Sequence, residues 1–298
     1  MRVGVIGAGL MGATHARLLS GAVPGAELVA TADPVADGVT YSDGLELIAA
    51  PDVEAVVIAS PVVTHEPYTL ACIEAGKRVL CEKPLAGDPA ACLRIAEADT
   101  HELVTVGFMR RFDPDYVELK ARIEAPLLIH CAHRNPSVHD FFDSEMILTD
   151  SVVHEVDITR WLLEQEIVRV QVLTPRPTSR AREGVRDPQL VILETEGGQL
   201  VTVEAFATAG YGYDIRCTVV GESGVVELPV RIAESFQERF ADAYRLELQA
   251  WVAGEPGPTA RDGYAAARVT EAAVRSLHTG GPVEVGQLAP HLGSGLHD

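Results

Sequence analysis

"MRVGVIGAGLMG", Met1–Gly12, opens the chain and sets the fold class of everything after it. Arg2–Ile6 is a short apolar run rich in β-branched residues, the pattern of a strand buried on both faces. Gly7-Ala8-Gly9-Leu10-Met11-Gly12 follows as G-x-G-x-x-G, and a helical pattern over Met11–Leu19 continues from it. The motif is a weak signal alone; between a strand and a helix it reads as a dinucleotide-binding turn. The first glycine permits the tight bend, the second lets the backbone approach a pyrophosphate, and the third lets helix pack closely on strand. The helix start adds free N–H groups and partial positive charge. Gly7, Gly9, Leu10, Met11 and Gly12 are therefore candidate cofactor contacts. Asp33 ends the next strand candidate, 21 residues past Gly12, where an acid bonds the adenosine ribose of NAD. Pro34, Val35 and Ala36 come next, with no arginine to meet a 2′-phosphate, so the expected cofactor is NAD rather than NADP. The bland alternative is a glycine turn followed by a turn-forming Asp-Pro pair.

The first third continues the alternation. Strand candidates are Leu28–Ala32, Ala55–Ala59, Arg78–Cys81 and Leu103–Gly107; helix candidates are Leu45–Ala49, Glu66–Ala75 and Pro89–Asp99, the last with Asp88 as N-cap and Pro89 in the first turn. This predicts an α/β domain with a parallel, doubly wound sheet over residues 1–110. After Gly107 the pattern changes. Helical stretches at Tyr116–Glu124 and Ser151–Leu163 mix with strand candidates at Leu127–His133, Ile167–Leu173, Gln189–Thr195, Leu200–Ala207, Asp214–Val220 and Gly224–Leu228. Strand following strand predicts a second, α+β domain over residues 111–298 with a mostly antiparallel sheet. Helices resume at Ser235–Val252 and Asp262–His278, and Thr174–Asp187 reads as an arginine-rich exposed loop.

Composition narrows the function. The 298 residues carry a net charge of −19 and a pI near 4.9, which argues against a nucleic-acid partner because phosphates require a positive surface. Apolar stretches are interrupted well before the ~20 residues of a membrane span, and the start lacks a signal-peptide layout. Cys72, Cys81, Cys92, Cys131 and Cys217 are scattered, with no C-x-x-C pair, and read as reduced thiols of a cytoplasmic protein.

Two constellations carry chemistry. Glu82-Lys83-Pro84 closes the fourth strand candidate, at the sheet edge where ligands bind in such folds. Proline restricts Lys83 to an extended backbone. Taken alone, the tripeptide reads more readily as a surface turn than as a site. In "TDSVVHEVDITRWLL", Thr149–Leu163, helical spacing puts Asp150, His154 and Asp157 on one face. Three readings compete: an N-cap acid with a satisfied buried histidine, a metal site, and an acid/base pair. Metal is the weakest, since no further ligand cluster converges on it, and no metal is expected. A dehydrogenase requires a base for the hydroxyl proton, which histidine suits, and a cation for developing alkoxide charge, which lysine suits. Asp150 could orient the imidazole.

Gly7–Gly12, Glu82-Lys83-Pro84 and Asp150 with His154 together resemble the glucose–fructose oxidoreductase/inositol dehydrogenase family, also written Gfo/Idh/MocA. "GFMRRFDPDY" (Gly107–Tyr116), "HCAHRNPSV" (His130–Val138), "DSVVHEVD" (Asp150–Asp157) and "YGYDIRCTVVGE" (Tyr211–Glu222) look like signatures of its bacterial inositol 2-dehydrogenase subgroup. The resemblance implies a Rossmann domain followed by an α+β domain whose open sheet makes dimer or tetramer contacts, hence a homo-oligomer. It implies Lys83, Asp150 and His154 as the catalytic group, with His154 the general base, and a cyclitol pocket lined by Met109, Arg110, His133, Asn135, Asp150, His154, Asp157 and Tyr213. Thr64, His65, Glu82 and Lys83 join the cofactor contacts on the same ground. The activity implied is NAD-dependent oxidation of a polyol ring hydroxyl, myo-inositol to 2-keto-myo-inositol (scyllo-inosose). Another inositol isomer, an aminocyclitol or a sugar is the alternative, and a non-catalytic NAD-binding regulator a third.

Departures from the family pattern lie in trimmed stretches at Pro34–Ser42, Arg122–Pro126 and Pro229–Ser235. Loops of this kind bear on substrate range and assembly. Arg110-Arg111 also reads as a solvated pair in a linker, Tyr211 and Tyr213 as ordinary strand aromatics, and His133 with Asn135 as a strand-end turn before Pro136.

Overall fold

The computed structural model describes residues 1–288; the last ten residues of the expected second domain lie outside the described residues. In chain order the elements begin β1 (Arg2–Ile6), α1 (Leu10–Leu19), β2 (Glu27–Ala32), α2 (Gly44–Ala49), β3 (Ala55–Ile58), α3 (His65–Glu74), β4 (Arg78–Glu82), α4 (Pro89–Ala98) and β5 (Val104–Gly107). They continue with α5 (Pro114–Ala121), β6 (Pro126–Arg134), a π-helical segment Ile147–Val152, α6 (Val153–Leu163), β7 (Ile167–Leu173), β8 (Gln189–Thr195), β9 (Leu200–Phe206), β10 (Tyr213–Gly221) and β11 (Val225–Glu227). The described part ends with β12 (Ile232–Ala233), α7 (Phe236–Arg239), α8 (Ala241–Ala253), α9 (Ala260–Thr279) and β13 (Val283–Glu284).

Two compact units emerge. The first joins Met1–Met109 to Asp242–Ala267; the second joins Arg110–Ala241 to residues 268–288. Sequence alone assigns everything from 111 to one domain, but 242–267 packs with the first unit. The reason is apolar burial. Leu248 and Trp251 of α8 enter one core with Val3, Val5, Leu19, Val23, Ala55, Val57 and Leu80. Arg78 of β4 lies over the Trp251 ring, 5.7 Å from its centroid, and donates to the Trp251 carbonyl.

The first unit is an all-parallel sheet in the order β2-β1-β3-β4-β5. Every residue of β3 is buried, as expected for strands covered on both faces. The helices start where their caps dictate: the Asp88 side chain accepts from Ala91 N at 2.8 Å, and that of Asp43 from Leu45 N at 3.0 Å. The trimmed stretch after Asp33 holds no strand, only an isolated bridge from Tyr41 to Ala32. The outer edge of β5 is closed by the returning chain, with Val106 N donating to Pro258 O at 2.8 Å and a bridge between Thr105 and Thr259. Covered edges of this kind cannot recruit foreign strands.

The second unit is a mixed sheet in the order β11-β10-β6-β9-β8-β7-β13, with β12 beside β10. Among its described strands only β6 and β9 pair in parallel; the chain between them includes α6, which is buried at every position from Val153 to Arg160. The helix expected over Ser235–Val252 is interrupted at Phe240, whose backbone leaves helical geometry. Phe240 is fully buried, and its ring receives the guanidinium groups of Arg239 at 4.6 Å and Arg110 at 5.4 Å. Burying that ring separates α7 from α8.

Leu248→Ala is expected to destabilise the first unit by about 2–5 kcal/mol, the range for truncating a buried leucine. The readout is the urea unfolding midpoint; an unchanged midpoint would remove α8 from that core.

Candidate active site

Within the first unit, the glycine turn has the shape a dinucleotide requires. Gly7 has φ +98°, and a Cβ there would lie 2.5 Å from the Ala59 carbonyl oxygen. A Cβ on Gly12 would lie 1.8 Å from the Gly7 carbonyl oxygen, so only glycine lets α1 leave the strand this closely. Gly9 is different. A Cβ there meets nothing within 4 Å, and Gly9 is exposed at the start of α1 with no side-chain cap. An uncapped helix start leaves unpaired first-turn N–H groups, and the open face at Gly9 gives a phosphate access to them. These residues fit the pyrophosphate of NAD; Leu10 and Met11 supply the first-turn amides.

Asp33 has a second duty that sequence does not reveal. Its carboxylate accepts from Ala8 N at 2.8 Å, Val35 N at 2.9 Å and Ala36 N at 3.0 Å. Those three donors, Ala8 foremost, hold the carboxyl below the usual range. The acid expected to meet the ribose thus also ties the end of β2 to the glycine turn.

Glu82 is anchored by a residue the sequence does not single out. His15 of α1, fully buried, places Nε2 2.7 Å from Glu82 Oε1. The other Glu82 oxygen accepts from Lys83 N at 3.2 Å. The helix that begins at the glycine turn is therefore fastened to the turn that carries Lys83. The only sequence signal is spacing, since His15 lies three residues past Gly12, on the same side of the helix. Lys83 itself is half-buried, and the Lys83–Pro84 peptide is cis. His65 is buried, with Nδ1 2.8 Å from Pro84 O and Nε2 2.9 Å from Ser60 O. Both nitrogens face main-chain carbonyls; burial pushes the ring toward its neutral form, so its single N–H donates to one of them while the buried ring packs between the Ser60 loop and the lysine turn. Beside it, Thr64 Oγ1 donates to Pro61 O at 2.7 Å. Met109, which ends the first of the two segments that make this unit, is buried.

Within the second unit, the remaining predicted residues gather around α6. The π-helical segment carries Asp150, half-buried. Its wider turn is shown by Val153 N–H donating to the Leu148 carbonyl, five residues back. His154 follows in the first turn of α6 and is buried. His133, near the end of β6, sits with its ring centroid 6.3 Å from that of His154 and 5.7 Å from that of Tyr213, the latter edge-on. Tyr213 is buried, which pushes its phenol up to about 12 and keeps it neutral. Asn135 is fixed through its backbone, its N–H donating to Phe206 O and its carbonyl accepting from Ala209 N, both at 2.9 Å. The Asn135 carboxamide takes no partner from the described residues, which leaves it available to a ligand.

Two residues expected to line a pocket are committed to buried ion pairs. Asp157 accepts from Arg111 at both oxygens, Nε at 3.0 Å and an η-nitrogen at 2.6 Å. Arg110, 1% exposed, pairs with Glu155, also 1% exposed. Position i+1 from His154 faces away from the histidine, so sequence gives no reason to connect Glu155 with the site. Among the described residues no cluster of three or more His, Cys, Asp or Glu could hold a metal. Burial pushes the Cys72, Cys81 and Cys92 thiols up to about 12, which makes them inert as nucleophiles.

A family profile described as "Oxidoreductase family, NAD-binding Rossmann fold" matches residues 1–108, and the GFO/IDH/MocA C-terminal domain matches 120–227. The chain belongs to the GFO/IDH/MocA family. It is an oxidoreductase of that family, with an NAD-binding Rossmann domain and a mixed-sheet C-terminal domain. The expected fold class, family and enzyme class hold. Among its relatives, inositol 2-dehydrogenase 1 of Saccharopolyspora erythraea is 48% identical over 96% of each chain. Inositol 2-dehydrogenase of Mycolicibacterium smegmatis is 44% identical over the same share of each. The structure is also similar, at TM-score 0.92 and 34% identity over 97% of this chain and 98% of the other, to myo-inositol dehydrogenase from Lactobacillus casei in complex with NAD(H) and myo-inositol.

The glycines give a paired prediction. Gly9→Ala is expected to leave stability within about 0.5 kcal/mol of wild type while weakening NAD at least about tenfold, or 1.4 kcal/mol. Gly12→Ala should damage both. Thermal melting and NAD titration by calorimetry separate the two, and undiminished NAD affinity in Gly9→Ala would remove the pyrophosphate from this turn.

Proposed function

We propose that this oxidoreductase oxidises a ring hydroxyl of a cyclitol with NAD, taking myo-inositol to 2-keto-myo-inositol. The carrying observation is the likeness, over nearly the whole chain, to a dehydrogenase solved with NAD(H) and myo-inositol. The inositol 2-dehydrogenases at 43–48% identity support the same substrate class. When bound, NAD supplies the hydride acceptor. The chain's own residues do the rest. The glycine turn and Asp33 hold the dinucleotide, and the absence of a cation after Asp33 favours NAD over NADP.

In this reading the hydroxyl-bearing carbon loses a hydride and its oxygen loses a proton, leaving a ketone. His154 takes the proton as general base. Lys83 steadies negative charge developing on the oxygen, and Asp150 tunes both. The grouping of these three rests on the family motif. His133, Asn135 and Tyr213 are the leading substrate contacts from the second unit, joined by Met109. Arg110 and Asp157 act through the ion pairs that fix their neighbours. Glu82, Thr64 and His65 shape the cofactor side, His65 and Glu82 by holding the lysine turn.

Lys83→Ala and His154→Ala are each expected to lower kcat by ~10²–10⁴, the scale of acid–base groups, with NAD affinity retained. Absorbance of the reduced nicotinamide, followed with myo-, scyllo- and chiro-inositol and D-glucose, reads both the activity and its loss. Wild-type turnover in either variant would remove the assignment, and no turnover of any inositol by the wild-type enzyme would remove the substrate class.

We further read the protein as a cytoplasmic homo-oligomer, a dimer or tetramer. All five cysteines are buried free thiols, in keeping with a reducing compartment. No helix among the described residues is long and apolar enough to cross a membrane. One face of the second sheet exposes Leu128 directly opposite Leu200, with Leu190 further along beside Glu204, and exposed leucines of this kind suit self-association. Leu200→Glu is expected to lower the mass measured by light scattering to that of a smaller species; an unchanged mass would move the interface elsewhere.

A further inference from the structure

Glu155 lies inside the Asp150–Asp157 signature without a role assigned to it there, yet it occupies the centre of the second unit's polar cluster. One of its oxygens pairs with Arg110. The other lies 2.9 Å from His133 Nδ1. Arg110 also approaches that nitrogen, at 3.3 Å. All three residues are buried. Around the imidazole stand His154 and the edge of Tyr213, and His133 Nε2 takes no partner from the described residues.

The charge state of Glu155 follows from its neighbours. Burial pushes its carboxyl up, the Arg110 charge and the hydrogen bonds from His133 and Arg110 pull it down, and the group lies below the usual carboxylate range. An ionised carboxylate has no proton to donate and can only accept. At 2.9 Å it therefore requires a proton on His133 Nδ1; a lone pair there would face the carboxylate's own. Arg110 finds its acceptor in the other Glu155 oxygen, which leaves the second oxygen to the His133 N–H.

We infer that Glu155 is a positioning residue: it locks His133 as the Nδ1–H tautomer, so that Nε2 presents a lone pair that accepts the proton of one substrate hydroxyl. The substrate part rests on the cyclitol reading; the tautomer does not. A buried acceptor of this kind discriminates against an analogue that lacks the hydroxyl, because its lone pair is then left unpaired. Glu155 thus sets the direction of a hydrogen bond, and with it a specificity, without touching substrate.

The near-isosteric variant Glu155→Gln inverts the arrangement. Arg110 can only donate, so it takes the new carboxamide oxygen. The amide nitrogen then faces His133 Nδ1 and donates to it, which moves the ring proton to Nε2. The test is ¹⁵N correlation spectroscopy of histidine-labelled enzyme without substrate, with His133→Gln assigning the signal. Wild type is expected to show His133 protonated at Nδ1 and bare at Nε2, and Glu155→Gln the reverse. A bare Nδ1, or protons on both nitrogens, in the wild-type spectrum would overturn the inference, and this holds even if the variant fails to fold.

The functional arm compares kcat/KM for myo-inositol with that for its mono-deoxyfluoro analogues, in which fluorine has no proton to give to a bare Nε2. At one ring position wild type should lose at least about tenfold on this replacement, and Glu155→Gln, whose Nε2–H can still donate, should lose markedly less at that position. An equal loss in both enzymes would overturn the role of the tautomer in recognition. A wild-type enzyme that turns over no inositol, yet shows the Nδ1–H tautomer, would sink the cyclitol reading and leave the lock intact.

Discussion

A helix buried on every side has no surface on which to leave a charge. From Val153 to Arg160, α6 has no exposed position, yet it carries Glu155, Asp157 and Arg160. Each is matched by an oppositely charged side chain: Arg110, Arg111 and Glu166. Desolvating an ion is costly, and removing one partner of a buried pair typically costs about 3–5 kcal/mol. The chain segment after β5, the strand β6 and the turn after α6 are thereby held in register around one helix. His154 inherits its position from this framework.

The first unit solves a different problem with backbone instead of charge. There, close approach is the constraint, and glycine satisfies it at Gly7 and Gly12 while Gly9 keeps a face open. Asp33 and the His15–Glu82 contact then tie the glycine turn to β2 on one side and to the lysine turn on the other. A short polar set thus joins the geometry of the glycine turn to that of the lysine turn.

Much of this is legible in sequence. The five parallel strands are visible because doubly buried strands are continuous apolar runs, and the glycine motif is visible because its spacing is rigid. The residues of α6 are identifiable as a set through helical spacing. What is hidden depends on contacts distant along the chain. His15 and Glu82 are 67 residues apart, and nothing local pairs them. Glu155 sits beside His154 in sequence but on another side of the helix. Arg110 and Asp157 are pocket residues by the family resemblance, and that each also holds a buried ion pair is not visible in sequence. The break at Phe240 is hidden for the same reason: helical propensity runs through it, and only the burial of the ring interrupts the helix.

The return of Asp242–Ala267 to the first unit has a consequence for how the protein is made. Its parallel sheet lacks Leu248, Trp251 and the strap along β5 until more than four-fifths of the chain has left the ribosome. Until then the nascent sheet carries an uncovered apolar patch and an open strand edge, features that invite aggregation during synthesis. The glycine-rich domain therefore comes first in the chain but is finished late, and a fragment cut at its apparent boundary near residue 109 is a poor stand-alone module.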